Sequence, residues 1–247
     1  MILEDPSSEA ATRQMSVVSR GLHIGARGII EHLRTNLRDR YHRGFPIIKE
    51  LIQNADDGEA TQCHILEIQG FKGSDNALLR GRALVIANNS EFKPTDQEAI
   101  CELGMSHRAA ERKAVGKFGL GLKSVFHLCE AFFYSYSQPG DEGLPLLGLV
   151  NPWEGIGGEA EKFYQKWGAI SSDDIANFAK LTQSFGWNRC FLILVPLRME
   201  FHRFSAKTTF IAPELWGQRA LDFLDPDQIY PAICHLLPML KNVSLLT

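Results

Sequence analysis

Two carboxylates and an amide are spaced along one predicted helix so that they could line a reactive pocket. In the segment from Glu50 to Asp57, the side chains of Glu50, Asn54 and Asp57 fall within an arc of about 60°. An apolar arc of the same helix adjoins them and contains Ile48, Leu51, Ile52 and Ala55. A glutamate there could activate water as a general base, and an asparagine could give an oxygen ligand to Mg²⁺. The alternative is an ordinary amphipathic helix whose polar side chains only face water.

A glycine-rich segment further along the chain could bind phosphate. Gly116, Gly119 and Gly121 stand immediately before a predicted helix that runs from Leu122 to about Cys129. Glycines allow successive backbone N–H groups to turn inward, and a helix N-terminus adds the positive end of its dipole. The spacing differs from both the dinucleotide-binding and the Walker glycine motifs. A plain tight turn is the alternative interpretation.

In this order, the two motifs resemble those of the GHKL superfamily, whose ATPase domain has the Bergerat fold. The Glu50 helix resembles its N box and the glycine-rich segment its lid box, and residues 20–136 carry the similarity. The chain is most similar to the heat-shock-chaperone branch and, within it, to the sacsin-like amino-terminal domain. The resemblance implies an α/β (α+β) two-layer sandwich. Its mixed, mostly antiparallel sheet would be covered by helices on one face.

The resemblance also implies roles for individual residues. Glu50 resembles the general base, Asn54 the magnesium-binding asparagine, and Asp57 a residue near the nucleotide. The lid box implies nucleotide contacts at Gly116, Phe118, Gly119, Leu120 and Gly121. Lys123 is similar to a lysine that follows this box in the sacsin-like branch, unless it only covers the helix surface. Ser106 lies in the short lid segment, where it either contacts the nucleotide or is an ordinary loop residue.

Two departures from the family pattern fall on the side that would bind adenine. Asn89 stands where the family has an aspartate that accepts a hydrogen bond from the adenine amino group, and Asn88 is the one-residue alternative. Cys190 and Phe191 replace a Gly-Thr pair, although the following Pro-Leu-Arg ending at Arg198 is kept. An asparagine carries no charge and offers donors as well as an acceptor. Weak adenine affinity or an altered base preference is therefore expected.

The implied function is binding of ATP and Mg²⁺, with slow hydrolysis that drives lid closure and a nucleotide-dependent homodimer. A chaperone-like domain of this kind would also act on a protein client or partner, which the sequence does not identify. A pseudo-ATPase that serves as a scaffold is the rival interpretation, supported by Asn89 and Phe191. A histidine-kinase-like domain is a weaker alternative, because no helical hairpin with a phosphoacceptor histidine precedes the N box.

Composition is consistent with a globular domain that has no general affinity for nucleic acid. The 247 residues are 45% apolar and carry a formal net charge of −3. Five scattered cysteines favour a reducing compartment over a zinc site, and the acidic start is no signal peptide. A soluble, cytoplasmic protein without a membrane contact is expected. Residues 1–18 are interpreted as a mobile arm and residues 19–247 as the nucleotide-binding domain, the front part of a longer protein.

Apolar periodicity predicts the elements that must position these residues. Helices are expected from about Gly21 to Gly44, from Pro46 to Asp57, and from Leu122 to Cys129. Strands are expected at His64–Gln69, Ala83–Ala87, Ala131–Tyr136 and Phe191–Pro196, with the beginning of another at 241–247. Residues 138–160 contain many Gly and Pro and are predicted to form a long loop.

Overall fold

Apolar strands alternate with short helices along the described chain. The computed structural model describes residues 25–39, 45–93, 96–97, 100, 121–140, 145–205, 208–210 and 242–246. Its α-helices are α1 (Ala26–Asp39), α2 (Phe45–Asp57), α3 (Gly158–Gln165) and α4 (Ser172–Gln183). Its 3-10 helices are η1 (Gly121–His127), η2 (Lys166–Gly168) and η3 (Glu200–His202). Its strands are β1 (Gln62–Ile68), β2 (Ala83–Asn88), β3 (Phe132–Ser137), β4 (Leu146–Val150), β5 (Cys190–Pro196) and β6 (Asn242–Leu246).

The strands form one sheet in the order β4-β3-β5-β2-β1-β6. Each neighbouring pair is antiparallel except β1 and β6, which are parallel. Cross-strand registers place Ile86 of β2 opposite both Ile65 of β1 and Ile193 of β5. The α/β architecture with a mixed, mostly antiparallel sheet is therefore confirmed.

Helices cover both faces of the sheet, which corrects the expectation of one covered face. Successive side chains of a strand point to opposite faces. Phe132 contacts Phe126 of η1, with ring centroids 5.6 Å apart, whereas the next residue, Phe133, lies 5.7 Å from Phe178 of α4. The reason lies in the central strands, which are apolar at consecutive positions. Because β2 is buried along its whole length, both faces need apolar cover.

The helices on the η1 side present apolar stripes to the core. Helix α1 buries Ile30, Leu33 and Leu37, and α2 buries Ile48 and Leu51 among other residues. Both helices pack against η1. The apolar positions of α2 are those that the 3.6-residue period predicts. Glu50, a polar residue that borders this stripe, lies where α2 meets η1.

Most expected elements are present within one or two residues of their predicted bounds, and two expectations are wrong. The region 138–160 is not a long loop, because it contains β4 and the start of α3. Its Gly and Pro residues flank an apolar pentapeptide that pairs with β3. The element after the glycine box is a 3-10 helix rather than an α-helix. The strand expected near residue 241 is confirmed as β6, whereas the proposed arm at 1–18 lies outside the described residues.

Gly148 allows an aromatic ring to lie across β4, and this contact gives a test of the fold. It is the register partner of Tyr134, and a Cβ atom at Gly148 would lie 2.1 Å from Tyr134 Cζ. We expect Gly148→Ala to lower the free energy of unfolding by about 1–3 kcal/mol, because the ring has only two torsions with which to move away. Chemical denaturation measures this change.

Gly168→Ala is the matched control, because a Cβ atom there would meet nothing within 4 Å. The free energy of unfolding of the control should lie within about 0.5 kcal/mol of that of the unmodified chain. Equal stability of the two variants would contradict the described packing of Tyr134 on β4.

Candidate functional site

The carboxylate of Glu50 lies directly against the first residue of η1. Glu50 is in the middle of α2, and a Cβ atom at Gly121 would lie 2.2 Å from Glu50 Oε2. Any residue other than glycine at position 121 would therefore displace the carboxylate. The structure thus brings together a residue of α2 and the last glycine of the glycine-rich segment, which are 71 positions apart in the chain.

Partial burial at this contact changes the acidity of Glu50. Removal of the carboxylate from water raises the pKa of Glu50 above its ordinary value, and the nearby charge of Asp57 raises it further. The ammonium group of Lys49 acts in the opposite direction. A carboxyl group with a raised pKa accepts a proton more readily, which is a requirement for a general base.

Three polar residues in the last turn of α2 differ in their exposure to solvent. Asn54 is exposed, Asp57 is half-buried, and Asp56 is only 6% exposed. Glu50, Asn54 and Asp57 thus border the buried stripe of α2, as their spacing predicts. Oxygen ligands of this kind suit Mg²⁺. Within the described part of the chain, no three His, Cys, Asp or Glu side chains cluster so as to hold a metal ion.

The two asparagines at the end of β2 are both hydrogen-bonded within the protein. The side-chain oxygen of Asn89 accepts from the backbone N–H groups of Thr61 and Gln62, at 2.9 and 3.1 Å. Its amide nitrogen donates to Thr61 Oγ1 at 3.0 Å. The Asn88 oxygen accepts from the backbone N–H and the hydroxyl of Ser90, at 3.0 and 2.6 Å. Asn89 therefore secures the start of β1, whereas Asn88 closes a turn after β2.

An aromatic cluster lies beside Asn88. Phe191 is the register partner of Asn88 in the sheet, and its ring is stacked on that of Phe92 with centroids 4.8 Å apart. The ring of Phe92 also lies 5.8 Å from that of Tyr134 and 5.6 Å from that of Tyr136. Phe191, which stands where the GHKL resemblance implies part of a Gly-Thr pair, therefore belongs to an aromatic stack.

Lys123 is buried in η1, and its ammonium group donates to the backbone carbonyl of Ile100. Lys123 is thus buried rather than spread over a helix surface, and its expected nucleotide contact stays a prediction. The remaining expected nucleotide contacts lie outside the described residues, namely Ser106, Gly116, Phe118, Gly119 and Leu120.

Sequence reasoning missed a buried ion pair behind η1. Arg198 follows β5 and donates from Nε to Glu130 Oε1 at 2.5 Å, and the two side chains are 3% and 0% exposed. Burial raises the pKa of Glu130, while Arg198 and two hydrogen bonds oppose that rise. The signal in the sequence was one acidic residue within the otherwise apolar segment from Leu128 to Phe133.

The raised pKa of Glu50 has a consequence for stability. The pKa of Glu50 is higher in the folded protein than in the unfolded chain. The stabilisation that proton binding at Glu50 contributes is therefore lost as pH rises from the pKa of the unfolded chain through that of the folded protein. We expect Glu50→Gln to be more stable than the unmodified chain at pH 8, with a smaller difference near pH 4. Thermal unfolding across this range measures the effect.

The control is Glu154→Gln, which replaces an exposed carboxylate. The thermal stability of that variant should equal that of the unmodified chain at every pH. A Glu50→Gln variant that is less stable at pH 8 would show that the charged carboxylate is stabilised rather than strained in the fold.

Comparison with known proteins finds relatives for the part of the chain that contains α2 and η1. Residues 28–135, which include α2 and η1, match a family described as the sacsin domain. Human sacsin is 32% identical over 184 residues, a match that covers 69% of this chain and 4% of that protein. Protein NO VEIN of Arabidopsis thaliana is 32% identical over 95 residues, covering 38% of this chain and 3% of that protein. The chain thus spans a small part of each relative. Within the described residues, no helix is long and apolar enough to cross a membrane. The two comparisons thus support a sacsin-like domain at residues 28–135 of this chain.

Proposed function

We propose that this domain binds ATP with Mg²⁺ and hydrolyses it slowly. One observation carries the proposal, namely the half-buried carboxylate of Glu50 against the backbone of Gly121. In this proposal Glu50 is the general base and Gly121 is the last glycine of a phosphate-binding segment, and the two residues are adjacent. The resemblance to GHKL domains supports the same interpretation. Lid closure, a nucleotide-dependent homodimer and a protein client are proposed on that resemblance alone.

The residues beside Glu50 are chemically suited to the phosphate end of a nucleotide. A Cβ atom at position 121 would fill the space in which the Glu50 carboxylate lies, so only glycine allows the carboxylate to lie this close to the backbone. Asn54 is exposed one helical turn from Glu50 and could give its side-chain oxygen to Mg²⁺. The metal ion would neutralise phosphate charge. Asp57 lies close enough to affect the Glu50 carboxylate electrostatically.

In this proposal Glu50 orients water and takes a proton from it. Its raised pKa makes the carboxylate a better proton acceptor than an exposed glutamate. The Asp57 carboxylate contributes to that rise, so its charge supports the basicity of Glu50. Turnover should therefore fall as pH drops below the raised pKa, because only the charged form of Glu50 accepts a proton.

The base end of the nucleotide would be recognised weakly. Both candidate asparagines already use their side-chain oxygens, Asn89 for Thr61 and Gln62, and Asn88 for Ser90. A ligand would have to compete with these bonds. Phosphate and metal contacts would then supply most of the affinity, and ATP and GTP would differ little.

A second candidate function is that of a scaffold without nucleotide turnover. The stack of Phe92 on Phe191, next to the buried Asn88, favours it, because these rings occupy space beside the end of β2. A domain of this kind would keep the fold and the α2–η1 contact and act through protein partners. Measurement of nucleotide binding separates the two functions.

Asn54 gives the test of the proposed phosphate site. We expect ATP to bind with micromolar or weaker affinity in the presence of Mg²⁺, and Asn54→Ala to weaken that binding by roughly tenfold. Without Mg²⁺, the variant and the unmodified chain should bind equally, because the amide oxygen would act through the metal ion. Isothermal titration with and without Mg²⁺ measures all four affinities.

Gln183→Ala is the matched control, because it removes an exposed amide from the last residue of α4, a helix on the opposite face of the sheet. Its affinities should equal those of the unmodified chain. If Asn54→Ala shows the same Mg²⁺ dependence as this control, Asn54 is not a metal ligand. If the unmodified chain binds no ATP at all, the scaffold function replaces the proposal.

A further inference from the structure

The guanidinium group of Arg198 binds the far end of η1. It donates to the backbone carbonyls of Phe126 and His127, each at 2.8 Å, and of Cys129 at 2.6 Å. Its remaining bond goes to Glu130. A planar guanidinium offers five N–H donors in a rigid arrangement, so one side chain can fix several carbonyl groups at once. Arg198 thereby fixes the residues at which η1 ends.

Glu130 connects this end of η1 to a second part of the chain. Besides Arg198, its Oε1 atom accepts from the hydroxyl of Thr209 at 2.5 Å and from the backbone N–H of Phe210 at 3.3 Å. The carbonyl of Thr209 in turn accepts two bonds from Arg34 of α1, at 3.2 and 2.9 Å. Helix α1, η1 and the segment after β5 are thus joined by one buried polar network.

We propose that Arg198 is a positioning residue for the phosphate side of the site, an inference that rests on the proposed function. The seven residues of η1 span only about 12 Å, since a 3-10 helix rises about 2 Å per residue. A shift at its Phe126 end is therefore transmitted to Gly121 at the other end. Arg198 keeps Gly121 against Glu50 without contacting a ligand itself.

The side-chain hydrogen bonds of Arg198 add to one that its backbone already makes. The backbone N–H of Arg198 donates to the carbonyl of Leu128 at 2.8 Å, and any residue at position 198 would keep that bond. Lysine would also keep the positive charge beside Glu130, but its compact ammonium group cannot reach three separate carbonyls. Arg198→Lys therefore removes the fixed geometry while leaving a charge pair in place.

The test compares Arg198→Lys with Arg82→Lys in the full 247-residue chain. Arg82 pairs with Glu67 of β1 at 2.7 Å just before the start of β2, so it matches the ion pair, but its side chain is more exposed. Two quantities are measured: the affinity for ATP with Mg²⁺, and hydrogen exchange of the backbone amides. We expect Arg198→Lys to weaken ATP binding roughly ten- to hundredfold and to lose amide protection at residues 121–129 in particular.

A purely structural role for Arg198 predicts a different pattern. Amide protection would then fall throughout the sheet. ATP binding would weaken only in proportion to the fraction of the protein that is unfolded. That result, or an affinity equal to that of Arg82→Lys, overturns the inference. Should the unmodified chain bind no ATP, the proposed function fails, while hydrogen exchange still decides the inference. Selective loss of protection at 121–129 supports it, and unchanged protection contradicts it.

Glu130→Gln is the second variant if Arg198→Lys does not fold. It keeps a side-chain oxygen that can accept from Arg198 and Thr209, but it removes the negative charge that holds the guanidinium group. Loosening at residues 121–129 with weaker ATP binding supports the inference. Full amide protection in a folded Glu130→Gln protein overturns it.

Discussion

The arrangement of the site depends on a pair of opposite charges that the fold has removed from water. Burying an arginine and a glutamate costs several kcal/mol per ion, and only a well-aligned partner and further hydrogen bonds offset that cost. Here Arg198 donates to one carboxylate and three carbonyls, and Glu130 also accepts from Thr209 and Phe210. Removing one partner would leave a buried charge uncompensated. The network therefore specifies one position for η1 rather than adding stability alone.

The position of η1 decides what α2 can do. Glu50 lies against Gly121 only because η1 begins there and because position 121 has no side chain. The same contact takes the carboxylate partly out of water and raises its pKa. At the end of β2, by contrast, Asn88 and Asn89 are used within the fold, and aromatic rings fill the adjoining space. Among the described contacts, the side-chain oxygens at the end of β2 are thus already hydrogen-bonded within the fold.

The sequence predicted the elements whose apolar period is strong. The bounds of α2 and β2 were correct within one residue, because an uninterrupted stripe or run of apolar residues marks each of them. It did not predict β4, since Gly148 interrupts a short apolar segment between Gly- and Pro-rich neighbours. Covering of both sheet faces could have been inferred from the consecutive apolar residues of β2 and β5.

The candidate site was predicted in part for similar reasons. Helical spacing alone groups Glu50, Asn54 and Asp57 on α2, but no spacing rule gives the contact between Glu50 and Gly121. That contact depends on tertiary packing, and the family resemblance implied only that both residues belong to one nucleotide site. Arg198 and Glu130 were missed because charged residues are usually exposed, and a buried pair can be recognised only when both partners are known to meet.

The most direct test of the site is the pKa of the Glu50 carboxyl, measured by carbon NMR with and without a non-hydrolysable ATP analogue and Mg²⁺. Its signal can be assigned by comparison with the Glu50→Gln variant. We expect a pKa above the ordinary glutamate value in the free protein, because partial burial disfavours the charge, and a further change when the analogue binds. An ordinary pKa that does not respond to the analogue would contradict it.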